Sequence, residues 1–189
     1  MSDDRLVWID LEMTGLEVEH DVIVEIAVLI TDGDLQILDP GIDIVIHVAD
    51  EVLDGMNSVV TAMHARSGLT NEIKASTTTF AAAMAEALAY IQRFVPKAST
   101  APLCGNTIGM DRRFLNRYAP ELDTYLHYRS IDVSSFKELC RRWYPDLYKQ
   151  RPSKRESHRA LDDIRDSISE MQFYREHMLR QPDETTPKP

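Results

Sequence analysis

A mixed α/β sheet with helices on both faces is the fold class this sequence predicts, and three observations predict it. Three apolar segments near the start are joined by short turns, which indicates an antiparallel meander. From residue 79 onward, helix-spaced apolar stripes alternate with short apolar runs, as in sheets whose later strands are joined through helices. Neither an internal repeat nor a second-domain signal divides the 189 residues, which are enough for one domain with a full core. Residues 1–181 are therefore expected to form that domain. Residues 182–189, polar and proline-rich, are expected to be a disordered tail.

Residues 5–10 (RLVWID) read as a largely buried first strand. Residues 22–32 (VIVEIAVLITD) form a longer one, and Gly33 sits in the turn that follows. Residues 35–38 and 42–48 read as a third strand interrupted by a Pro40-Gly41 bend. Phe80, Met84, Leu88, Ile91 and Val95 then share one face at helical spacing, and Pro96 stops that helix. A short apolar strand over 101–106, a helix over 110–118, a strand over 128–133 and a helix to about Trp143 follow. The last helix is expected over 157–180, with Ser157 as N-cap and Leu161, Ile164, Ile168, Met171 and Met178 on its apolar side.

Hydrophobic content of 43% and charged content of 28% are those of an ordinary globule. A formal charge of −10 argues against a long nucleic acid as partner, because such binding draws its affinity from phosphate neutralisation. Basic residues do cluster locally, at Arg112-Arg113, at Arg141-Arg142 and at Arg151, Lys154, Arg155 and Arg159. That clustering suggests a small anionic ligand near one patch. Cys104 and Cys140 are read as reduced, buried thiols rather than as a disulfide or a metal pair. The first residues carry no signal-peptide apolar stretch, and the longest apolar run is too short to span a bilayer. A cytoplasmic protein with no membrane partner is expected.

Chemistry gathers at the ends of elements. Asp10 and Glu12 are two apart on a strand, so both carboxylates point to one face at its C-terminal end. Asp111 follows GNTIG and enters a helix, where the dipole alone would favour an acid. His158, Asp162 and Asp163 lie at the mouth of the last helix. On one continuous helix a partner of His158 at i+4 would be Asp162 rather than Asp163, and spacing alone does not choose between them. Carboxylates gathered in this way need neutralising, commonly by a divalent cation, and such ions serve phosphodiester hydrolysis.

Taken together, these segments resemble the DEDD exonuclease superfamily, in its histidine branch. Asp10, Glu12, Thr14 and Gly15 match the first motif, Asn106 and Asp111 the second, His158 and Asp163 the third, all in order. The third motif's spacing selects Asp163. WIDLEMTGL, CGNTIGMDRRFL, YRSIDVSSFKELCRRWYP and HRALDDIRDSISEMQFYREH are similar to the oligoribonuclease family, over about residues 6–179.

The resemblance implies a ribonuclease H-like fold, a homodimer, and 3′-to-5′ hydrolysis of very short RNA, including linear dinucleotides, to nucleoside 5′-monophosphates. It implies two Mg²⁺ or Mn²⁺ ions held by Asp10, Glu12, Asp111 and Asp163, with His158 as general base. It also implies that Leu16 wedges between the bases and that His64 contacts the 3′ nucleotide. Tyr128 and Arg129 would reach the other protomer's site, and Thr107 and Ser134 would help cap the 5′ phosphate. One departure is Val59, where some relatives carry an aromatic residue. Two other readings make different demands. A broader exonuclease would need an open basic groove, and a non-catalytic binding module should lack one of the five catalytic side chains.

Overall fold

The computed structural model describes residues 4–153 and 159–179. Ser157, His158 and residues 182–189 lie outside the described residues. The chain opens with β1 (Leu6–Met13), β2 (Ile23–Thr31) and β3 (Ile42–Val45). Three short helices follow, α1 (Asp50–Asp54), α2 (Ser58–Ser67) and α3 (Leu69–Ala75), then α4 (Phe80–Phe94). Next come β4 (Pro102–Gly105), α5 (Gly109–Tyr118), α6 (Pro120–Tyr125) and β5 (His127–Asp132). The chain ends in α7 (Val133–Trp143), α8 (Pro145–Tyr148) and α9 (Ala160–His177).

The strands form one sheet in the order β3-β2-β1-β4-β5. β1 and β3 pair with β2 antiparallel, while β4 runs parallel to β1 and β5 parallel to β4. The meander and the mixed sheet are thus as the sequence predicts. Alternation along β1 decides where the chemistry sits. Val7, Ile9 and Leu11 enter the core shared with α4, α5 and α6, among Met84, Ile91, Phe114 and Leu115. Trp8 points the other way, into the core under α7 and α9 with Cys140, Ile164, Ile168 and Tyr174. Asp10 and Glu12 continue the Trp8 face, so they emerge beneath the start of α9.

Several boundaries differ from the sequence reading. β1 runs on to Met13, because its pairing continues past the polar residues to Glu12 opposite Glu25 and Met13 opposite Ile23. The third strand is only Ile42–Val45, and the 35–38 segment contributes a single bridge between Thr31 and Ile37. The last helix begins at Ala160, with Arg159 in the N-cap position and no side-chain cap. Helix α4 keeps its expected span, capped by Thr79 Oγ1, which accepts from the Ala82 amide at 3.2 Å.

The block α1–α3 was not anticipated. Its middle helix buries only His64, so it has no apolar stripe for periodicity to detect. Leu53, Leu69 and Ile73 fasten the block to Val24 through a small core of their own. Both cysteines are free and buried. No described helix is long and apolar enough to cross a membrane.

Candidate functional site

Asp10 and Glu12 on β1 and Asp163 on α9 converge, with one carboxylate oxygen from each lying within 4.8 Å of the others. The geometry of α9 accounts for Asp163. Ala160, Ile164, Ser167, Ile168 and Tyr174 form its buried stripe, and Asp163 lies on that stripe one turn after Ala160. Asp162 lies beside the stripe and pairs with Arg165 at 3.6 Å. Packing against β1 and β2 thus brings Asp163, rather than Asp162, beside Asp10 and Glu12.

Asp111 arrives from the first turn of α5 and is buried. Its Oδ1 accepts from the Leu11 amide at 3.0 Å, tying it to the backbone between Asp10 and Glu12. Burial pushes the Asp111 carboxyl up to about 7. Burial also pushes Glu12 up to about 8, reinforced by the charges of Glu25, Asp163 and Asp111. An array of hard oxygen donors whose members repel one another in a poorly solvated site suits a divalent cation.

The pH dependence of stability follows from these shifts. A carboxyl whose folded pKa is raised binds its proton more tightly folded than unfolded. Its stabilising effect is complete below the unfolded value, about 4.5 for Glu12, and is lost as pH climbs through about 8. The metal-free protein is therefore expected to melt at progressively lower temperature from pH 5 to pH 8. Mn²⁺ should raise the melting temperature more at pH 8 than at pH 5.5, since bound cation displaces those protons. Thermal melts with chelator and with Mn²⁺ at the two pH values check this, and equal Mn²⁺ shifts would contradict it.

The loop after β1 is built around Asp21. Its Oδ1 accepts from Thr14 Oγ1 at 3.0 Å and its Oδ2 from the Glu17 amide at 2.8 Å. A Cβ on Gly15 would fall 2.3 Å from that carboxylate, which explains the glycine of the first motif. Leu16, next along, is 64% exposed and does not cover the core. His64 is fully buried behind the site. Its Nε2 donates to the Met13 carbonyl at 2.9 Å, and its Nδ1 lies 3.9 Å from Glu12 Oε2. Val59 is exposed on the same helix.

Thr107 and Ser134 are brought together by Asp132, which the sequence reading passed over. Asp132 Oδ1 accepts from the Thr107 amide at 2.9 Å, the Ser134 amide at 2.9 Å and Ser134 Oγ at 2.6 Å. Those bonds also hold Thr107 at φ 56°, a left-handed conformation uncommon outside glycine. Tyr128 and Arg129 stand on β5, at the sheet edge two strands from β1. Tyr128 is 74% exposed, so it is not packed as an ordinary strand residue, and the Arg129 guanidinium lies 5.3 Å from its ring centroid.

Two further networks join residues that the sequence reading named singly or not at all. Glu25 faces Glu12 across β1 and β2 and binds Arg159, whose Nε donates to its Oε1 at 2.9 Å. Arg159 also forks onto Glu72, with both bonds at 2.8 Å. A carboxylate in the middle of the run VIVEIAVLI was the available signal that a buried partner exists. Behind Asp111's loop, Asn106 Nδ2 donates to Ser167 Oγ at 2.8 Å, and Lys137 bridges Asn106 Oδ1 at 3.2 Å and Glu170 at 3.1 Å.

Four members of the local basic clusters are engaged within the protein. Arg112 and Arg159 are consumed by internal carboxylates, Asp123 and Glu25 with Glu72, and Arg141 and Arg142 pair with Glu138. Lys154 and Arg155 lie outside the described residues, as does His158.

Residues 7–171 match the RNase_T exonuclease family. The chain is 58% identical over 172 residues to an oligoribonuclease of Rhodococcus jostii, a match covering 91% of this chain and 86% of that one. An oligoribonuclease of Mycobacterium tuberculosis is 56% identical over 172 residues, covering 91% and 80% of the two chains. Among solved structures, Escherichia coli exonuclease I in complex with single-stranded DNA aligns with a TM-score of 0.71 over 94% of this chain at 16% identity. Exonuclease I of Methylocaldum szegediense gives 0.63 over 92% at 19% identity. This chain spans 41% of the length of each exonuclease I chain, and the likeness establishes the fold.

Proposed function

The chain belongs to the oligoribonuclease family of the RNase_T exonucleases, and from that premise we propose that it is a cytoplasmic 3′-to-5′ exoribonuclease of very short RNA. Its substrates are oligoribonucleotides, chiefly dinucleotides, and its products nucleoside 5′-monophosphates. Residues 1–181 act as one exonuclease domain. The observation that carries the reading is the meeting of Asp10, Glu12 and Asp163, with Asp111 bonded to the strand between the first two.

Asp10, Glu12, Asp111 and Asp163 would hold two Mg²⁺ or Mn²⁺ ions, which supply an activated water and charge stabilisation at the leaving 3′ oxygen. The protein's own part is to fix these oxygens on rigid elements. β1 lies in the middle of the sheet, and α9 is held to it by Ile164 and Ile168. His158, one residue before Arg159, would take the water's proton as general base. Bonding of Arg159 to Glu25 and Glu72 anchors the chain next to that base.

On the substrate side, the exposed Leu16 would wedge between the bases, and Tyr128 of the second protomer would stack on one. His64 would contact the 3′ nucleotide. In this structure its Nε2 is engaged with the carbonyl of Met13 at the end of β1, so a contact through Nε2 requires that bond to yield. The 5′ phosphate would lie among Thr107, Ser134 and Arg129 of the partner, a guanidinium being suited to a terminal monoester. A closed phosphate end favours short substrates, and the charge of −10 disfavours long ones.

Digestion of 5′-phosphorylated two-, three-, seven- and twenty-nucleotide RNAs with Mn²⁺ tests the reading. The dinucleotide should disappear far ahead of the twenty-mer, and chelator should stop both. Equal or faster attack on the twenty-mer would make this a general exonuclease.

A further inference from the structure

The pairing of β5 with β4 contains an irregularity. Pro102 pairs with His127, yet the next residue, Leu103, pairs with Ser130. Tyr128 and Arg129 are therefore extruded from the edge strand as a bulge. Such bulges re-aim side chains near functional sites and need their loosened backbone groups satisfied. One side chain does most of that here. Arg112 Nη2 donates to the His127 carbonyl at 2.9 Å, and Nη1 donates to the Arg129 carbonyl at 3.3 Å and Ser130 Oγ at 3.0 Å. Its Nε is fixed on Asp123 at 3.0 Å, and Asp123 is held in turn by Asn116 Nδ2 at 3.1 Å. Within the bulge, His127 Nδ1 accepts the Arg129 amide at 3.0 Å while its ring stacks on Tyr128, 4.4 Å between centroids. The bulge is thus held by both side chains.

We propose that Arg112, assisted by His127, is a positioning residue for substrate selection: it sets the bulge that presents Tyr128 and Arg129 outward to a second protomer's substrate. The inference rests on the reading of Arg129 as a ligand of the substrate's 5′ phosphate. Only a planar fork with several fixed donors reaches Asp123, both carbonyls and Ser130 together, so lysine is not an equivalent. Arg112 follows Asp111 in the same helical turn. One turn of α5 therefore ties the bulge on β5 to the carboxylates on β1.

The test compares kcat/KM for 5′-phosphorylated and 5′-hydroxyl diribonucleotides in the wild type, Arg129→Ala, Arg112→Lys, the double variant and His127→Phe. Arg129→Ala should cut the preference for the phosphorylated substrate by roughly ten- to a hundredfold. Arg112→Lys should cut it by about tenfold or more, and the double variant should fall no lower than Arg129→Ala alone. Mn²⁺ should raise the melting temperature of Arg112→Lys as it does that of the wild type, showing the neighbouring Asp111 undisturbed. His127→Phe keeps the stacking and removes the acceptor, so it should lose preference in the same sense, and it stands in if Arg112→Lys does not fold. Wild-type preference in either variant, beside a lowered one in Arg129→Ala, would overturn the proposal, as would independent losses in the double variant. Wild-type preference in Arg129→Ala would instead remove the phosphate-ligand reading, and this inference with it.

Discussion

Replacing Asp163 by asparagine should remove turnover by on the order of a thousandfold, while the same change at Asp162 should leave it within about threefold of wild type. The two residues are neighbours of identical chemistry, so the contrast isolates geometry. Asp163 lies on the buried stripe of α9 and shares a cluster with Asp10 and Glu12, whereas Asp162 faces Arg165. Asparagine is close to aspartate in size, and losing the charge eases the repulsion that Asp163 exerts on Glu12. The metal-free Asp163→Asn protein should therefore melt no lower than wild type even as activity vanishes. Diribonucleotide turnover in Mn²⁺ and a thermal melt in chelator together make the measurement. Wild-type turnover in Asp163→Asn would withdraw that residue from the metal site.

Arg159→Ala should cause the largest loss of stability, about 3–5 kcal/mol, because it strands a buried carboxylate. Glu25 has no solvent exposure, and its ties to Arg159 and the Ala160 amide offset the burial that raises its carboxyl to about 7. Without the guanidinium, Glu25 faces Glu12 and Asp43 unshielded. The loss should be smaller near pH 5, where Glu25 takes up a proton, and grow toward pH 8. Adding Glu25→Gln should restore much of the difference, since the two side chains act as one unit. Urea titrations with unchanged slope give the values. A loss below about 1 kcal/mol would mean that the pair merely balances its own desolvation.

How much was legible depended on whether a signal runs along the chain or between segments. The apolar alternation of β1 carries Asp10 and Glu12 to one face and was readable from eight residues. The stripe of α9 was equally readable, and motif spacing already pointed to Asp163; the sheet against which that stripe packs supplies the physical reason, which lies outside the helix's own sequence. Helix α2 offered nothing to read, because its single buried side chain is a histidine. The bulge at Tyr128 and Arg129 is a mismatch between two strands, so neither strand's sequence announces it. Arg112 and Arg159 looked like solvent-facing cations because their partners, Asp123, Glu25 and Glu72, are 11, 134 and 87 residues away.

The small core beneath α1–α3 has a consequence for how the molecule breathes. β1 is paired with β2 along its length and with β4 at Val7 and Trp8, so its amides should be among the slowest to exchange with solvent deuterium. The α1–α3 block rests on Val24, Leu53, Leu69 and Ile73 and can open by itself at far smaller cost. Its amides should exchange first. Asp10 and Glu12 then belong to the slowest-exchanging strand, and His64 to one of the fastest segments. A dinucleotide bound there would register as slowed exchange across residues 50–75, with β1 unchanged.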